Sequence, residues 1–298
     1  MPEKKDSKHK EGTTKPSILI RFVRHAESRN NQVYRNARRL FKGGTPQFNL
    51  AGWTDYVDTH RSSDPHISDP AGTTQADCLG EYLSSRLRNE ASVPARFIVS
   101  PMRRTLETLL PTLTRLTAAA NEDGTTTTAG KDVCEVIVNG FYFESEGCHN
   151  RGTPEPGLSP NEITAILSPP LLSPSSISYV GFSSPDHGWY SHGVTNETRE
   201  ESEVRAAKFY LWLLEYLDAQ LCRGGGGGAE GEDIFDAGVS CCEETTTTER
   251  RTRRTVVLIG HGDFMSLVLK RIMAGFGYAV GEIGRKGRRR RRARDFGQ

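Results

Sequence analysis

Four segments of this 298-residue chain place arginine, histidine or glutamate directly after an apolar run. Ile18 to Val23 leads into Arg24-His25, and Arg96 to Val99 leads into Ser100-Pro101-Met102-Arg103-Arg104. Val133 to Phe143 leads into Glu144, and Thr255 to Ile259 into Gly260-His261-Gly262. Short, branched and nearly continuous apolar runs predict strands buried on both faces of a parallel sheet. In open α/β sheets ligands gather at the carboxyl ends of the strands, so residues distant along the chain are expected to meet there. Two arginines and two histidines at such a place supply the positive charge and hydrogen-bond donors that surround a phosphoryl group.

Helices must separate these strands to bring their ends to one side. Thr74 to Arg88 puts Ala76, Leu79, Leu83 and Leu87 at helical spacing, and Glu203 to Leu221 does so with Phe209, Leu213 and Leu217. Further helices are predicted over Arg103 to Leu110, stopped by Pro111, and over Phe264 to Met273, stopped by Gly275. Strand and helix alternate, which defines an α/β fold with a mainly parallel sheet. Residues 17–277 read as one domain, since the strands are spread over most of that length. Low-complexity insertions interrupt it near 117–131 and 223–254, where runs of threonine and glycine carry no periodicity. The Ser- and Pro-rich stretch Leu167 to Pro185 reads as an irregular connection.

Composition narrows the classes of function. The net charge of +2 is the difference between 39 basic and 37 acidic side chains, so no strong overall field draws the chain to polyanions. Six cysteines with no Cys-x-x-Cys pair argue against a disulfide scaffold and a structural zinc site, and fit a reducing, cytoplasmic setting. Residues 1–16 form a polar, lysine-rich leader that reads as disordered, and no apolar stretch has the length of a membrane span. The segment 278–298 is a basic tail, with eight basic residues in the ten from Arg285 to Arg294. It is a candidate nuclear address and the one feature that would attract nucleic acid, although it lacks the aromatic residues of a stacking platform.

The motifs together resemble the histidine phosphatase superfamily, also called phosphoglycerate mutase-like. Arg24-His25-Ala26-Glu27-Ser28 with Asn31 is similar to the family's opening Arg-His-Gly-Glu text, and Gly72-Thr73-Thr74-Gln75-Ala76 to its Gly-x-x-Gln-Ala. Ser100-Pro101-Met102-Arg103-Arg104 resembles Ser-Pro-Leu-x-Arg, and Gly260-His261-Gly262 the closing Ser-His-Gly. The resemblance runs from about Ser17 to Ala274 and implies a three-layer α/β/α sandwich. It implies hydrolysis of a phosphomonoester through a phosphohistidine on His25, with Arg24, Asn31, Arg104 and His261 binding phosphate and Glu144 giving the leaving group its proton. A backbone carbonyl would hold the second ring nitrogen of His25. No metal and no cofactor are required. The substrate would be a small phosphorylated metabolite or a phosphoprotein; the oligomeric state is not readable.

Some choices stay open at this level. Arg103 competes with Arg104 as ligand, family spacing favouring Arg104, and Glu146 competes with Glu144 as acid. Glu27 reads as structural. His187 and His192 flank Gly188-Trp189-Tyr190, which is either an aromatic loop anchor or a flap over the site. Arg35, Arg38, Arg39 and Lys42 form either a solvated helix face or an anion contact. Phosphoglycerate mutase-type transfer is the alternative chemistry, weakened because the text after Glu144 (Cys148 to Gly152) departs from that of the mutases. A phospho-ligand or protein-binding module with weak catalysis is the alternative of another class. Family members also add a strand after the last helix, where Gly281 to Gln298 is basic, which implies a less protected sheet edge.

Overall fold

The computed structural model describes residues 17–42, 49–90, 95–122, 134–168, 172–190, 196–222 and 254–275. The leader, most of both insertions, the basic tail and His192 lie outside these residues. The elements in chain order are β1 (Ile18–Arg24), α1 (Arg29–Lys42), α2 (Leu50–His60), α3 (Ala71–Glu90), β2 (Ala95–Val99) and α4 (Arg103–Glu122). They continue with β3 (Cys134–Asn139), β4 (His149–Asn150), β5 (Thr153–Pro154), α5 (Pro160–Leu167), β6 (Ile177–Val180), α6 (Arg199–Cys222), β7 (Arg254–Gly260) and α7 (Gly262–Gly275).

The central sheet has the order β1-β7-β2-β3-β6, and every neighbouring pair in it is parallel. Side chains alternate across a strand, and the alternation sorts the core into two layers. Phe97, Val99, Val136, Val138, Val257 and Ile259 face α3, α4 and α5. Ile98, Ile137, Val256 and Leu258 face α6 and α7 through Phe209, Leu213, Phe264 and Val268. This is the three-layer α/β/α architecture expected of a phosphoglycerate mutase-like chain. No helix among the described residues is long and apolar enough to cross a membrane.

Three elements differ from the sequence expectation. Helix α4 does not stop at Pro111 but runs through it to Glu122, taking in the first residues of the expected insertion. Proline removes one helical hydrogen bond and crowds the preceding turn. The stripe Leu106, Leu109, Leu113 and Leu116, none more than 4% exposed, continues in phase on both sides of it and holds the helix against the sheet. Gly80 in α3 gives the ring room: a Cβ there would stand 2.8 Å from the Pro111 Cβ.

Strand β3 ends at Asn139, not at Phe143, because the Asn139 side chain accepts from Phe141 N at 2.9 Å and turns the chain. Tyr142 and Phe143 then drop into opposite core layers, so the expected strand's second half folds over the end of the sheet. The stretch read as an irregular connection supplies β6, whose four residues pair with β3 at the sheet edge. Its brevity and its serine and proline flanks hid it.

The α3–α4 contact gives a test. Replacing glycine within a helix normally helps, yet Gly80→Val is expected to lower stability by about 1–3 kcal/mol through overpacking against Pro111, read from the urea midpoint. A neutral or stabilising result would mean that the two helices do not meet there.

Candidate active site

The register of the sheet sets the site. Arg24 pairs with Gly260 and Val99 with Ile259, so His25, His261 and Ser100 are each the first residue beyond the same end of adjacent strands. Backbone bonds extend the ladder past the strands, from His25 N to Gly260 O (2.9 Å) and from Ser100 N to Ile259 O (3.0 Å). The two imidazoles come to rest with ring centroids 5.1 Å apart. Nitrogens of His25 and His261 and a carboxylate oxygen of Glu144 all lie within 4.8 Å of one another.

His25 is 8% exposed. Its Nδ1 lies 2.6 Å from Ala26 O. A carbonyl can only accept, so Nδ1 carries the hydrogen and Nε2 keeps its lone pair. That lone pair faces the pocket, where Arg104 Nε donates to it at 3.3 Å. Burial, reinforced by the charges of Arg104 and Arg24, lowers the His25 pKa from 6.5 to about 3. The ring is therefore neutral at physiological pH.

His261 is fully buried. Its Nε2 sits 2.8 Å from Ser100 Oγ, which itself accepts from Met102 N at 3.3 Å. The serine hydroxyl, with one O–H and two lone pairs, meets Met102 N and the Nε2 side of the ring at once and fixes the ring's orientation. Nδ1 has no hydrogen-bond partner, being 3.8 Å from Glu144 Oε2. A buried polar nitrogen without a partner is costly unless a ligand completes it. Burial first, then Arg104, holds the His261 pKa well below the usual histidine value.

Arg104 lies in the first turn of α4 and is 7% exposed. Asp64 stands 3.9 Å from its Nη1, and both Asp64 oxygens accept from Arg103 N (2.9 and 3.1 Å), capping the helix. Of the two candidate arginines, Arg104 is the one whose side chain enters the pocket. Glu144 follows the turn after β3: its Oε1 accepts from Ser145 N (3.1 Å) and Phe264 N (3.4 Å), and burial raises its pKa despite the opposing charge of Arg104. Glu146 is exposed, with a positive φ of 78° in the next turn.

The remaining expected ligands sit differently. Arg24 is exposed at the end of β1, with its Nε 3.5 Å from where a Cβ on Gly262 would lie. Asn31 is drawn into the cap of α1, where its Oδ1 accepts from Ser28 N and Ser28 Oγ, both at 3.0 Å. Its NH2 end is what it has left to offer. Glu27 braces the loop, bonded to Arg35 and, at 2.8 Å, to Ser68 Oγ. Gly72 and Gln75 support the same loop: Gln75 Oε1 accepts from Glu27 N at 2.8 Å, and a Cβ on Gly72 would fall 2.2 Å from Glu27 O. Trp189 and Tyr190 are buried against Phe143, as an anchor rather than a flap. Arg35, Arg38 and Arg39 are exposed on α1.

Two imidazoles and a carboxylate are also a donor set that a metal ion can use. Here Arg104 donates into one of those nitrogens and Arg24 adds its field, so the pocket's charge suits an anion. Sequence reasoning missed Asp64, the role of Ser100, and Arg205 on α6. Arg205 had a signal: a charged residue in phase with Phe209 and Leu213 on a buried helix stripe must find a partner inside.

No protein-family model matches the chain, and no curated protein sequence matches it. It is similar to several solved structures. One is an open-reading-frame product of Mycobacterium tuberculosis, at 18% identity over 85% of this chain and 78% of that one, with a TM-score of 0.32. Another is the ecdysone phosphate phosphatase of Bombix mori in complex with tungstate, at 14% identity over 86% and 78%, with a TM-score of 0.44. A third is a mycobacterial glucosyl-3-phosphoglycerate phosphatase complexed with VO3, at 17% identity over 85% and 79%, with a TM-score of 0.35. Likeness this loose assigns no role to any residue.

The Asp64 carboxyl gives a pH test. Burial raises its pKa from 3.8 to about 6, against the pull of Arg104. The folded state then binds the proton more tightly than the unfolded one, so the group's contribution is full below about pH 4 and is lost as pH rises through about 6. The stability difference between wild type and Asp64→Asn, followed by urea denaturation, is expected to shift toward wild type as pH falls from 6 to 4. A difference independent of pH would contradict this environment for Asp64.

Proposed function

We propose that this chain is a phosphatase of the histidine phosphatase type, which hydrolyses a phosphomonoester through a phosphohistidine on His25. The observation that carries the reading is the neutral His25 ring, with Nδ1–H on a carbonyl and the Nε2 lone pair turned toward Arg104, His261 and Glu144.

In the first step Nε2 forms a bond to phosphorus while the bond to the leaving oxygen breaks. The Glu144 carboxyl, kept protonated more readily by burial, gives its proton to that oxygen. The ring becomes cationic, and its Nδ1–H bond to Ala26 O strengthens with it. Arg104 and His261, taken in the tautomer with hydrogen on Nδ1, hold the phosphoryl oxygens, which gives that nitrogen the partner it otherwise lacks. Arg24 and the Asn31 amide are assigned to the same oxygens on the resemblance. In the second step water attacks phosphorus, its proton passes to Glu144, and the N–P bond breaks to return the lone pair to His25. The substrate proposed is a small phosphorylated metabolite or a phosphoprotein, and neither a metal nor an organic cofactor takes part.

Two variants test the assignment. His25→Ala is expected to remain folded and lose activity on 4-nitrophenyl phosphate by at least about a thousandfold, and retained activity would rule out the nucleophile. Glu144→Gln is expected to lower kcat/KM for phenyl phosphate by about a hundredfold, with a much smaller loss for 4-nitrophenyl phosphate, whose leaving group departs without a proton. Equal losses on both substrates would remove Glu144 as donor.

A further inference from the structure

The turn that carries Glu144 leaves the sheet at Asn139, so its carbonyls have no strand to accept from. One guanidinium serves them. Arg205 Nη1 donates to Phe141 O and Phe143 O, both at 2.9 Å, and Nη2 to Glu144 O at 3.3 Å. Its other face of donors holds Glu197 in a two-point pair, Nε to Oε1 and Nη2 to Oε2, both at 2.6 Å. Every N–H of the side chain is thereby used.

The guanidinium is also held by the rings of Phe143, 3.4 Å from its carbon to the centroid, and Phe264, at 4.1 Å. Phe264 N is the donor that fixes Glu144 Oε1. Both main-chain attachments of the Glu144 carboxyl, its own turn and the first turn of α7, therefore refer to one cation. Glu197 is fixed in turn, since Ser202 Oγ donates to its Oε2 at 2.6 Å and its N donates to Tyr190 OH at 3.2 Å.

From this geometry we propose that Arg205, locked by Glu197, is a positioning residue for proton transfer, which aims Glu144 at the leaving oxygen without touching the substrate. The inference rests on Glu144 being the proton donor. A buried pair in the core could instead hold only the fold together, and the two roles differ in what they do to leaving groups. Lost aim at Glu144 slows departure of a basic alkoxide or phenoxide and spares nitrophenoxide, whereas a loosened fold slows both alike.

The test compares kcat/KM for phenyl phosphate and 4-nitrophenyl phosphate in wild type, Arg205→Lys and Glu197→Gln, each shown to be folded by circular dichroism. Lysine keeps the charge but offers a compact ammonium in place of the planar fork that spans three carbonyls and a carboxylate. The ratio of phenyl to nitrophenyl rates is expected to fall about tenfold or more in both variants, in the same direction as in Glu144→Gln. Should Arg205→Lys fail to fold, the milder Glu197→Gln decides alone. An even loss on both substrates, alongside a split in Glu144→Gln, overturns the positioning role and leaves the donor intact. Absence of a split in Glu144→Gln overturns the donor and the positioning role together.

Discussion

A buried guanidinium bonded to one histidine, with its charge felt by a second, is the interaction on which the site turns. Arg104 has little access to water, and its charge must be met inside the protein. Asp64 at 3.9 Å answers part of it, and Glu144 adds a second carboxyl to the neighbourhood. The histidines pay no such role, because the same charge and the same burial keep their rings neutral. The cation, the unpartnered Nδ1 of His261 and the Nε2 lone pair of His25 are thereby gathered in one pocket. On the proposed function, anion affinity and nucleophile activation follow from this one arrangement.

The fold's contribution is to make that crowding reproducible. Parallel register carries His25, His261 and Ser100 past the sheet at one level, and Ser100 holds the Nε2 side of the His261 ring. Gly260 lets Tyr142 lie over the strand end, where a Cβ would come within 2.4 Å of the ring, and Tyr142 stacks on Phe209 of α6 with centroids 4.5 Å apart. The α6 and α7 layer is in this way tied to the turn that bears Glu144. Rigid elements, rather than loops alone, hold these side chains.

Much of this was legible in the sequence, for a physical reason. A doubly buried parallel strand must be short, branched and apolar, and polar residues at its carboxyl end have one place to go. That made β1, β2 and β7 and the convergence of His25, Arg104 and His261 readable. The turn after β3 was not, because Phe141, Tyr142 and Phe143 are apolar and continue a strand-like run, while the Asn139 side chain that breaks it depends on its local geometry. Nor was β6, a strand of four residues defined by its partner β3 rather than by its own pattern. Pro111 misled for the opposite reason: a strong local signal yielded to the leucine stripe on either side. Arg205 and Asp64 bond to main-chain atoms as well as to charged side chains, and a sequence does not record which carbonyls and amides will lack a strand or helix partner.

The claim that matters most is that a neutral His25 becomes covalently phosphorylated during turnover. Rapid-quench mixing of the full chain with a radiolabelled aryl phosphate, followed by peptide mapping, measures it directly. The account predicts a labelled peptide carrying phosphate on His25 that forms within a turnover and is discharged by water. Steady release of phosphate with no label on His25, or with label on another residue, would contradict it.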